Sequence, residues 1–213
     1  MKHITAKEIE RMEKVYRLNL INSVTGYKSA NLIATKSEKS GINVAVFSSV
    51  THLGSNPALL GFVTRPTQDV SRNTYKNIKE NNYFTVNHIQ KDMIENAHQT
   101  AAKYEEDISE FQHTGLKEEY LDDFFAPYVT QSNIKLGCEY VNEYAIKENN
   151  TVLIIGAIKH IYFDEGIQAT DGWLRLDDAE TVAINGLDGY ALPKLLDRFH
   201  YARPGQEIKS FFK

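Results

Sequence analysis

The chain lacks several features that define whole classes of protein. It has 1 cysteine, Cys138, among 213 residues, so no disulfide can form within it. Its 24 Lys and Arg residues are outnumbered by 28 Asp and Glu, which gives a net charge of −4 and no dense basic run for nucleic acid. The apolar runs are too short to span a membrane, and residues 1–8 lack the apolar core of a signal sequence. We therefore expect a cytoplasmic protein that binds neither nucleic acid nor a membrane.

Motifs that mark common nucleotide and metal enzymes are also missing. The sequence has no dinucleotide-binding Gly-x-Gly-x-x-Gly, no P-loop and no Gly-x-Ser-x-Gly elbow. Glu95 and His98 have the Glu-x-x-His spacing of di-iron helices, but no second pair accompanies them, so we predict no metal site. A nicotinamide cofactor would therefore bind without a Rossmann domain of its own.

The composition is that of a soluble globular protein with one core. Hydrophobic residues make up 42% of the chain and charged residues 24%. Apolar residues recur at roughly helical spacing near the start, which predicts a helix or arm over residues 1–20 and a single domain over 21–213. The 12 Tyr and 10 Phe residues suit subunit interfaces and pockets for planar ligands.

Strand patterns dominate after residue 29. Predicted strands cover 30–36, 42–50, 58–64, 83–89, 134–146 and 151–163. Predicted helices cover 73–79, capped by Asp69 or Ser71, and 92–104, with a helical turn at 117–125 and further helical pieces between 177 and 200. Because regular alternation of strand and helix is absent, the pattern favours a small, mainly β barrel with flanking helices over a doubly wound sheet.

Polar and basic residues cluster around two predicted strand ends and one helix start. Ser48 and Ser49 close one strand, Arg65 follows another, and Arg72 and Thr74 open the helix. Serine hydroxyls, guanidinium groups and the N–H groups of a helix start together suit a phosphate. Arg72 would oppose the helix dipole unless an anion were present. The alternative is that the serines merely turn the chain and the arginines are solvated.

The residues before this cluster could face a planar ring. Asn43, Ala45, Val46 and Phe47 form a strand with small side chains, against which a flat heterocycle can lie. The preceding strand adds two polar residues, Ser29 and Asn31. The alternative is an ordinary core strand, which we favour for the side chains of the valines.

Short segments along most of the chain carry a resemblance to a known family. They are 40–49, 55–60, 65–66, 72–74, 77–78 and 84–87, with a long hairpin over 141–163 and the Leu-Asp-Gly-Tyr of 187–190. Together they resemble the flavin reductase-like family, whose members bind FMN on a split barrel. One departure is Arg72-Asn73-Thr74, where many relatives have Lys-Asp-Thr; this keeps the basic character and changes the geometry offered to a phosphate.

The resemblance implies a six-stranded antiparallel split β-barrel with flanking helices, usually as a homodimer. It implies FMN as cofactor and NADH or NADPH as electron donor, with hydride transfer to flavin N5. The acceptor would be free flavin for a partner monooxygenase, a redox protein, ferric iron or oxygen. The implied cofactor-binding residues are Ser29, Asn31, Asn43, Ala45, Val46, Phe47, Ser48, Ser49, Thr64, Arg65, Arg72, Asn73 and Thr74.

The flavin would carry the chemistry, so no catalytic acid–base pair is required. His160, expected on the face of Ile154 and Ile158, is the one candidate for a place beside the flavin or nicotinamide; the alternative is a solvent-facing strand end. His88 is expected to be a hydrogen-bonded core residue. Two other functions stay open: a flavoredoxin-like electron carrier without NAD(P)H activity, and a split barrel that binds pyridoxal phosphate, haem or another phosphorylated ligand.

Overall fold

A computed structural model describes residues 1–39, 41–65, 72–105 and 108–212. The helices are α1 (Ala6–Arg11), α2 (Lys14–Val24), α3 (Asn73–Asn81), α4 (Ile94–Gln99) and α5 (Glu110–Thr114). The strands are β1 (Lys28–Ser29), β2 (Asn31–Ser37), β3 (Gly41–Phe47), β4 (Thr51–Ser55), β5 (Ala58–Thr64), β6 (Tyr83–His88), β7 (Glu118–Glu119), β8 (Tyr128–Val129), β9 (Ile134–Ile146), β10 (Thr151–Phe163), β11 (Ala183–Asn185) and β12 (Gly189–Ala191). The protein is therefore mainly β, as the sequence predicts.

The main sheet has seven strands in the order β3-β2-β6-β9-β10-β5-β4, and every neighbouring pair is antiparallel. Its two edge strands, β3 and β4, follow each other in the chain and are joined only by residues 48–50. An open sheet of this order would be about 29 Å wide, and the link spans at most about 14 Å. The sheet must therefore roll up so that its edges meet, which makes it a barrel with a split.

The barrel interior holds one of the main hydrophobic clusters. Its fully buried members are Ile33, Leu60, Phe62, Ile78, Phe84, Val86, Cys138 and Ile154. Ile78 comes from α3, which closes one end of the barrel, while Tyr75 of the same helix packs beside it. A second cluster covers the outer face of β2 and β3 and includes α4 and α5. Cys138 is fully buried in the interior, as expected for an inert core cysteine.

Two β-bulges overturn predictions of which residues share a face. The pairing of β9 with β10 shifts between Ile155 and Gly156, and again between Ile158 and His160. Each extra residue inverts the alternation of the strand beyond it. Strict alternation along 134–146 predicts Tyr144 on the same buried face as Cys138, but beyond the bulge Tyr144 is 58% exposed.

Several predicted elements differ from the observed ones. The hairpin strands and β5 match to the residue, but β3 ends at Phe47 and not at 50, because the chain turns there to begin β4, which the sequence patterns did not predict. The helix predicted over 92–104 is a 3-10 turn and the short α4, and α5 was missed. No helical turn forms at 117–125, and 177–200 contains the short strands β11 and β12 instead of helices.

The N-terminal segment forms α1 and α2, separated at Met12 and Glu13. α2 continues to Val24, beyond the predicted end of the arm. Within the described ranges, none of the helices has both the length and the apolar character needed to cross a membrane.

Candidate functional site

The start of α3 has a buried hydrogen-bond donor without an acceptor. Arg72 occupies the N-cap position, one residue earlier than the predicted first turn, and its side chain makes no capping hydrogen bond. Its Nε is buried and has no hydrogen-bond partner within the described ranges. A buried donor without an acceptor is costly, and a bound anion would satisfy it. The cap assigned to Asp69 or Ser71 is wrong, since Arg72 holds that position; both residues lie outside the described ranges.

Buried polar pairs tie α3 to the barrel at this end. The Nδ2 of Asn43 donates to Thr74 Oγ1 at 3.0 Å, and the Nδ2 of Asn77 donates to Thr35 Oγ1 at 3.1 Å. All four side chains are nearly inaccessible to solvent. These bonds fix the helix start against β3 and β2, so the groups that Arg72, Asn73 and Thr74 present are held rigidly. We call this the closed end of the barrel.

The two serines lie in the link between β3 and β4 and not in a strand. Ser49 Oγ accepts a hydrogen bond from the Val63 N–H at 3.0 Å and donates to the Val63 carbonyl at 3.2 Å. The prediction that Ser48 and Ser49 close a strand is therefore wrong. Ser49 closes the split by bonding β5, while Ser48 is half-buried in the bend.

The end of β5 brings two further predicted residues to the closed end. Thr64 is buried and its hydroxyl donates to the Val152 carbonyl at 3.4 Å, while Arg65 directly follows the strand and is exposed. Because Ser49 bonds Val63, the β3–β4 link lies beside this strand end. Ser49 is thus hydrogen-bonded to the strand that carries Thr64 and ends before Arg65.

The predicted ring-facing residues alternate along β3. Asn43, Ala45 and Phe47 point to the interior side, where the Phe47 and Phe62 rings meet edge to face at 5.3 Å between centroids. Val46 points the other way and packs in the outer cluster, as we favoured for the valine side chains. From Asn43 to Phe47 the strand rises about 13 Å.

Ser29 and Asn31 lie at the opposite end of the barrel, which we call the open end. Asn31 pairs with Phe47 on one side and with His88 on the other. The Ser29 hydroxyl donates to the Val50 carbonyl at 2.8 Å. Ser29 and Asn31 line a cavity of about 190 Å³ together with Val50, Thr51, His52, Leu59, Leu60, Val86, His88, Leu136 and Ile158.

His88 is the residue that sequence reasoning misread. Its Nδ1 is buried without a hydrogen-bond partner in the described chain, so the expected hydrogen-bonded core histidine is not observed. Burial lowers its pKa to about 4, which leaves the ring neutral at neutral pH. The alternation Phe84–Val86–His88 placed it correctly on the inner face, but no local signal showed that the strand ends at a cavity.

His160 does not lie where the sequence predicted. The bulge after Ile158 turns it to the outer face, where it stacks on Tyr162 and meets Phe124 edge to face with ring centroids 5.4 Å apart. It belongs to an aromatic cluster that also contains Tyr128. It does not line the cavity, and we give it no part in the chemistry proposed below.

The free edge of β3 is covered by polar side chains. Glu110 of α5 accepts from the Val44 N–H at 3.1 Å, and Thr100 Oγ1 accepts from the Val46 N–H at 2.9 Å. Burial raises the pKa of Glu110. Because these bonds occupy the edge of β3, a ligand must approach from the split. Within the described ranges, no group of three or more His, Cys, Asp and Glu residues could hold a metal ion.

A split antiparallel barrel with a buried, unpaired arginine nitrogen at a helix start describes the fold and the candidate site. Comparison with known proteins identifies the family. The model of the flavin reductase like domain matches residues 27–179. The chain therefore belongs to the flavin reductase-like family.

Solved structures agree with this assignment. A split-barrel protein of Shewanella frigidimarina NCIMB 400, named provisionally as a flavin reductase, is 41% identical, with a TM-score of 0.91 over 95% of this chain and 100% of that one. Component B of nitrilotriacetate monooxygenase from Bacillus cereus is 18% identical, with a TM-score of 0.80 over 94% and 98%. Flavoredoxin of Desulfovibrio vulgaris is 18% identical, with a TM-score of 0.68 over 84% and 91%. The last two likenesses concern the fold alone.

Proposed function

We propose that this protein binds FMN and catalyses its reduction by NADH or NADPH. Family membership supports a flavin, and the buried, unpaired Nε of Arg72 at the start of α3 is the observation that carries the phosphate end of the proposal. The electrons would pass to free flavin, ferric iron, oxygen or a partner protein such as a monooxygenase.

The residues present at the closed end fit a phosphate monoester. Arg72 supplies a buried N–H donor, and an anion there would meet the positive end of the α3 dipole. Asn73, Thr74 and Arg65 are the further groups proposed to surround it, with Thr64 behind them, whereas Ser48 and Ser49 follow Phe47 and would lie nearer the ring end. Charge-assisted hydrogen bonds of this kind are stronger than neutral ones. The phosphate would thus be held by groups that the Asn43–Thr74 bond keeps in place.

The remainder of the cofactor would follow β3 from Asn43 toward Phe47. Small Ala45 leaves room on that face, and the backbone of 47–49 offers N–H and C=O groups to a heterocycle. Ser29 and Asn31 are proposed to reach the edge of the ring from the neighbouring strand. The rise of about 13 Å along β3 separates the phosphate end from the ring end.

Bound flavin supplies the hydride chemistry. The chain orients the cofactor, excludes water from one side through Phe47 and Phe62, and leaves the other side open to a nicotinamide. No side chain needs to transfer a proton for this role.

We also propose that the protein is a homodimer. No residue of α2 is buried, and Val15, Tyr16, Ile21 and Val24 are all exposed. The segment after β12 exposes a further apolar set: Leu192, Leu196, Phe199, Tyr201, Ile208, Phe211 and Phe212. An apolar surface of this extent marks an interaction site more often than free surface. Light scattering should give a mass twice the 24.3 kDa of the protomer, and a mass of one protomer would contradict the dimer.

The function is tested by an absorbance spectrum followed by an anaerobic titration. Protein incubated with FMN and freed of excess should show the bands of oxidised flavin, and these should bleach on addition of NADH or NADPH. Bands that persist would favour the electron carrier. Bands that never appear would overturn FMN binding and return the closed end to other phosphorylated ligands.

A further inference from the structure

Side chains of α3 and of the hairpin strand β9 form a polar cluster that the proposed cofactor site does not include. The Tyr75 hydroxyl donates to Glu143 Oε1 at 3.0 Å, and Lys79 Nζ lies 3.4 Å from Glu143 Oε2. Lys79 Nζ also donates to the Tyr140 hydroxyl at 2.9 Å. Because Tyr75 and Lys79 are four residues apart, they lie on one face of α3. We call these four residues the α3–β9 cluster.

A β-bulge brings the two β9 residues of this cluster to the same face. The pairing of β9 with β10 skips Val141, which is the extra residue of the bulge. In a regular strand Tyr140 and Glu143, three residues apart, would point to opposite faces of the sheet. Because the bulge lies between them, both side chains reach Lys79 Nζ. The bulge therefore directs Glu143 toward α3, and bulges elsewhere re-aim side chains next to functional sites in the same way.

The cluster keeps its charges and its donors at neutral pH. The hydrogen bond to Tyr140 raises the pKa of Lys79, so the ammonium group stays protonated. Burial, followed by the hydrogen bond to Glu143, raises the pKa of Tyr75, so the hydroxyl keeps the proton that it donates. The Lys79 side chain is 40% exposed, so its ion pair contributes little stability. What the cluster provides is a fixed geometry between the helix and the hairpin.

That geometry relates the two arginines proposed to bind phosphate. Glu143 pairs with Ile154 of β10, which in turn pairs with β5. β5 ends directly before Arg65. On the other side, Glu143 contacts Tyr75, which follows Arg72 by three residues at the start of α3. Glu143 thus connects the helix start that carries Arg72 with the strand end that precedes Arg65.

We propose that Glu143 is a positioning residue for the phosphate end of the site, which holds α3 through Tyr75 and Lys79 so that Arg72 and Arg65 reach one phosphate group together. This role rests on the proposed function, since it requires the phosphate of FMN at the closed end. Hydrogen bonds to phosphate depend on distance and direction. A small shift of the helix start would therefore weaken them without altering the residues that bind.

The charge of Glu143 taken alone would have the opposite effect. A carboxylate near the helix start repels an anion, and Lys79 offsets that repulsion. If charge were the only contribution of Glu143, its removal would tighten phosphate binding. Loss of positioning weakens phosphate binding, so the sign of the change distinguishes the two effects.

The test compares FMN with riboflavin, which has the same ring system and lacks the phosphate. Fluorescence quenching gives both dissociation constants for the full-length protein. Glu143→Ala should weaken FMN binding about tenfold and leave riboflavin binding unchanged. Glu143→Gln retains an acceptor for the Tyr75 hydroxyl and should bind FMN within about threefold of the unmutated protein. Tyr75→Phe changes no charge and should weaken FMN binding in the same direction as Glu143→Ala.

The control variant lies on the same strand. Glu139 forms an ion pair with Lys159 of β10 at 2.8 Å, so Glu139→Ala removes an equivalent charge from the hairpin and should change neither affinity. Equal weakening of FMN and riboflavin in a folded Glu143→Ala protein would mean that Glu143 serves only the fold, which would overturn the proposal. Tighter FMN binding in both Glu143→Ala and Glu143→Gln would show an effect of charge alone and would also overturn it.

Failure of the positioning role can be told apart from failure of the proposed function. If the unmutated protein binds riboflavin as tightly as FMN, or binds neither, the phosphate site itself is wrong and the role of Glu143 falls with it. If the unmutated protein prefers FMN and Glu143→Ala keeps that preference in full, only the positioning role is wrong.

Discussion

The two ends of the barrel are built from the same strands and treat buried polar groups in opposite ways. At the closed end the amide nitrogens of Asn43 and Asn77 each donate to a threonine hydroxyl. At the open end the amide nitrogen of Asn31 and the Nδ1 of His88 have no hydrogen-bond partner in the described chain. All four residues belong to elements packed against one interior, so packing alone does not account for the difference.

The contrast distinguishes buried polar groups that are paired within the fold from buried polar groups that are free to bind a ligand. A satisfied buried pair stabilises the folded state modestly and fixes geometry, whereas an unsatisfied group costs roughly 1–3 kcal/mol. At the closed end the Nε of Arg72, beside the helix start, and the Oδ1 of Asn77 have no hydrogen-bond partner within the described ranges. The unpaired groups thus differ in charge: a guanidinium nitrogen at the closed end, and an amide and an imidazole nitrogen at the open end.

The largest effect is expected from removing the charge at the closed end. Arg72→Ala should weaken FMN binding by about 100-fold, because hydrogen bonds to charged groups contribute about 1.5–3 kcal/mol. Fluorescence quenching of free FMN measures this, with Arg11→Ala on α1 as control. An FMN affinity equal to that of the control would remove Arg72 from the phosphate site.

A matched pair of asparagine variants compares the two ends directly. Asn43→Leu should lower the free energy of unfolding by about 2 kcal/mol, because it leaves the buried Thr74 hydroxyl without its donor. Asn31→Leu should be neutral or stabilising, since it removes a donor that has no partner. Urea unfolding measures both. Equal destabilisation by the two changes would mean that the ends do not differ as described.

A smaller effect is expected where the split closes. Ser49→Ala removes both hydrogen bonds to the Val63 backbone and should cost about 1 kcal/mol of unfolding free energy. Ser48→Ala, one residue earlier in the same link, is the control and should leave stability nearly unchanged. If the two variants unfold at the same urea concentration, the closure does not depend on the serine hydroxyl.

The smallest expected effect is on the pH dependence of folding stability. Because burial raises the pKa of Glu110 above its ordinary value of 4.5, the folded state holds that proton more tightly than the unfolded state. Stability contributed by this group is present at low pH and is lost as pH rises from 4.5 through the folded pKa. Glu110→Gln keeps an acceptor for the Val44 N–H. Because it removes the titrating group, the free energy of unfolding should fall less as the pH rises. The free energy of unfolding is measured at pH 4.5 and at pH 8 for both proteins. If the difference between the two pH values is as large in Glu110→Gln as in the unmutated protein, the prediction is wrong.

Local patterns predicted the elements whose limits are set by nearby residues. The hairpin of β9 and β10 and the strand β5 were found to the residue, and the start of α3 at Asn73 was correct. Strand alternation and turn residues specify such elements without reference to the rest of the chain. The same reasoning failed for Tyr144 and His160, because a bulge depends on how two strands pair.

The candidate site was predictable in its residue types and not in its arrangement. The sequence indicated serines, arginines and a helix start suited to phosphate, and the family that they resemble. It could not show that Ser49 would bond Val63, that Arg72 would be an unpaired N-cap, or that Asn31 would face a cavity with His88.

By itself, the sequence determined the class of the protein: a mainly β chain with one core, one inert cysteine and the segments of the flavin reductase-like family. Periodicity and composition act over a few residues, so they are readable along the chain. Only the tertiary structure decided which polar groups are satisfied and which are left for ligands. That outcome depends on residues as far apart as Asn43 and Thr74, or Ser29 and Val50, meeting when the sheet rolls up and its two edges close.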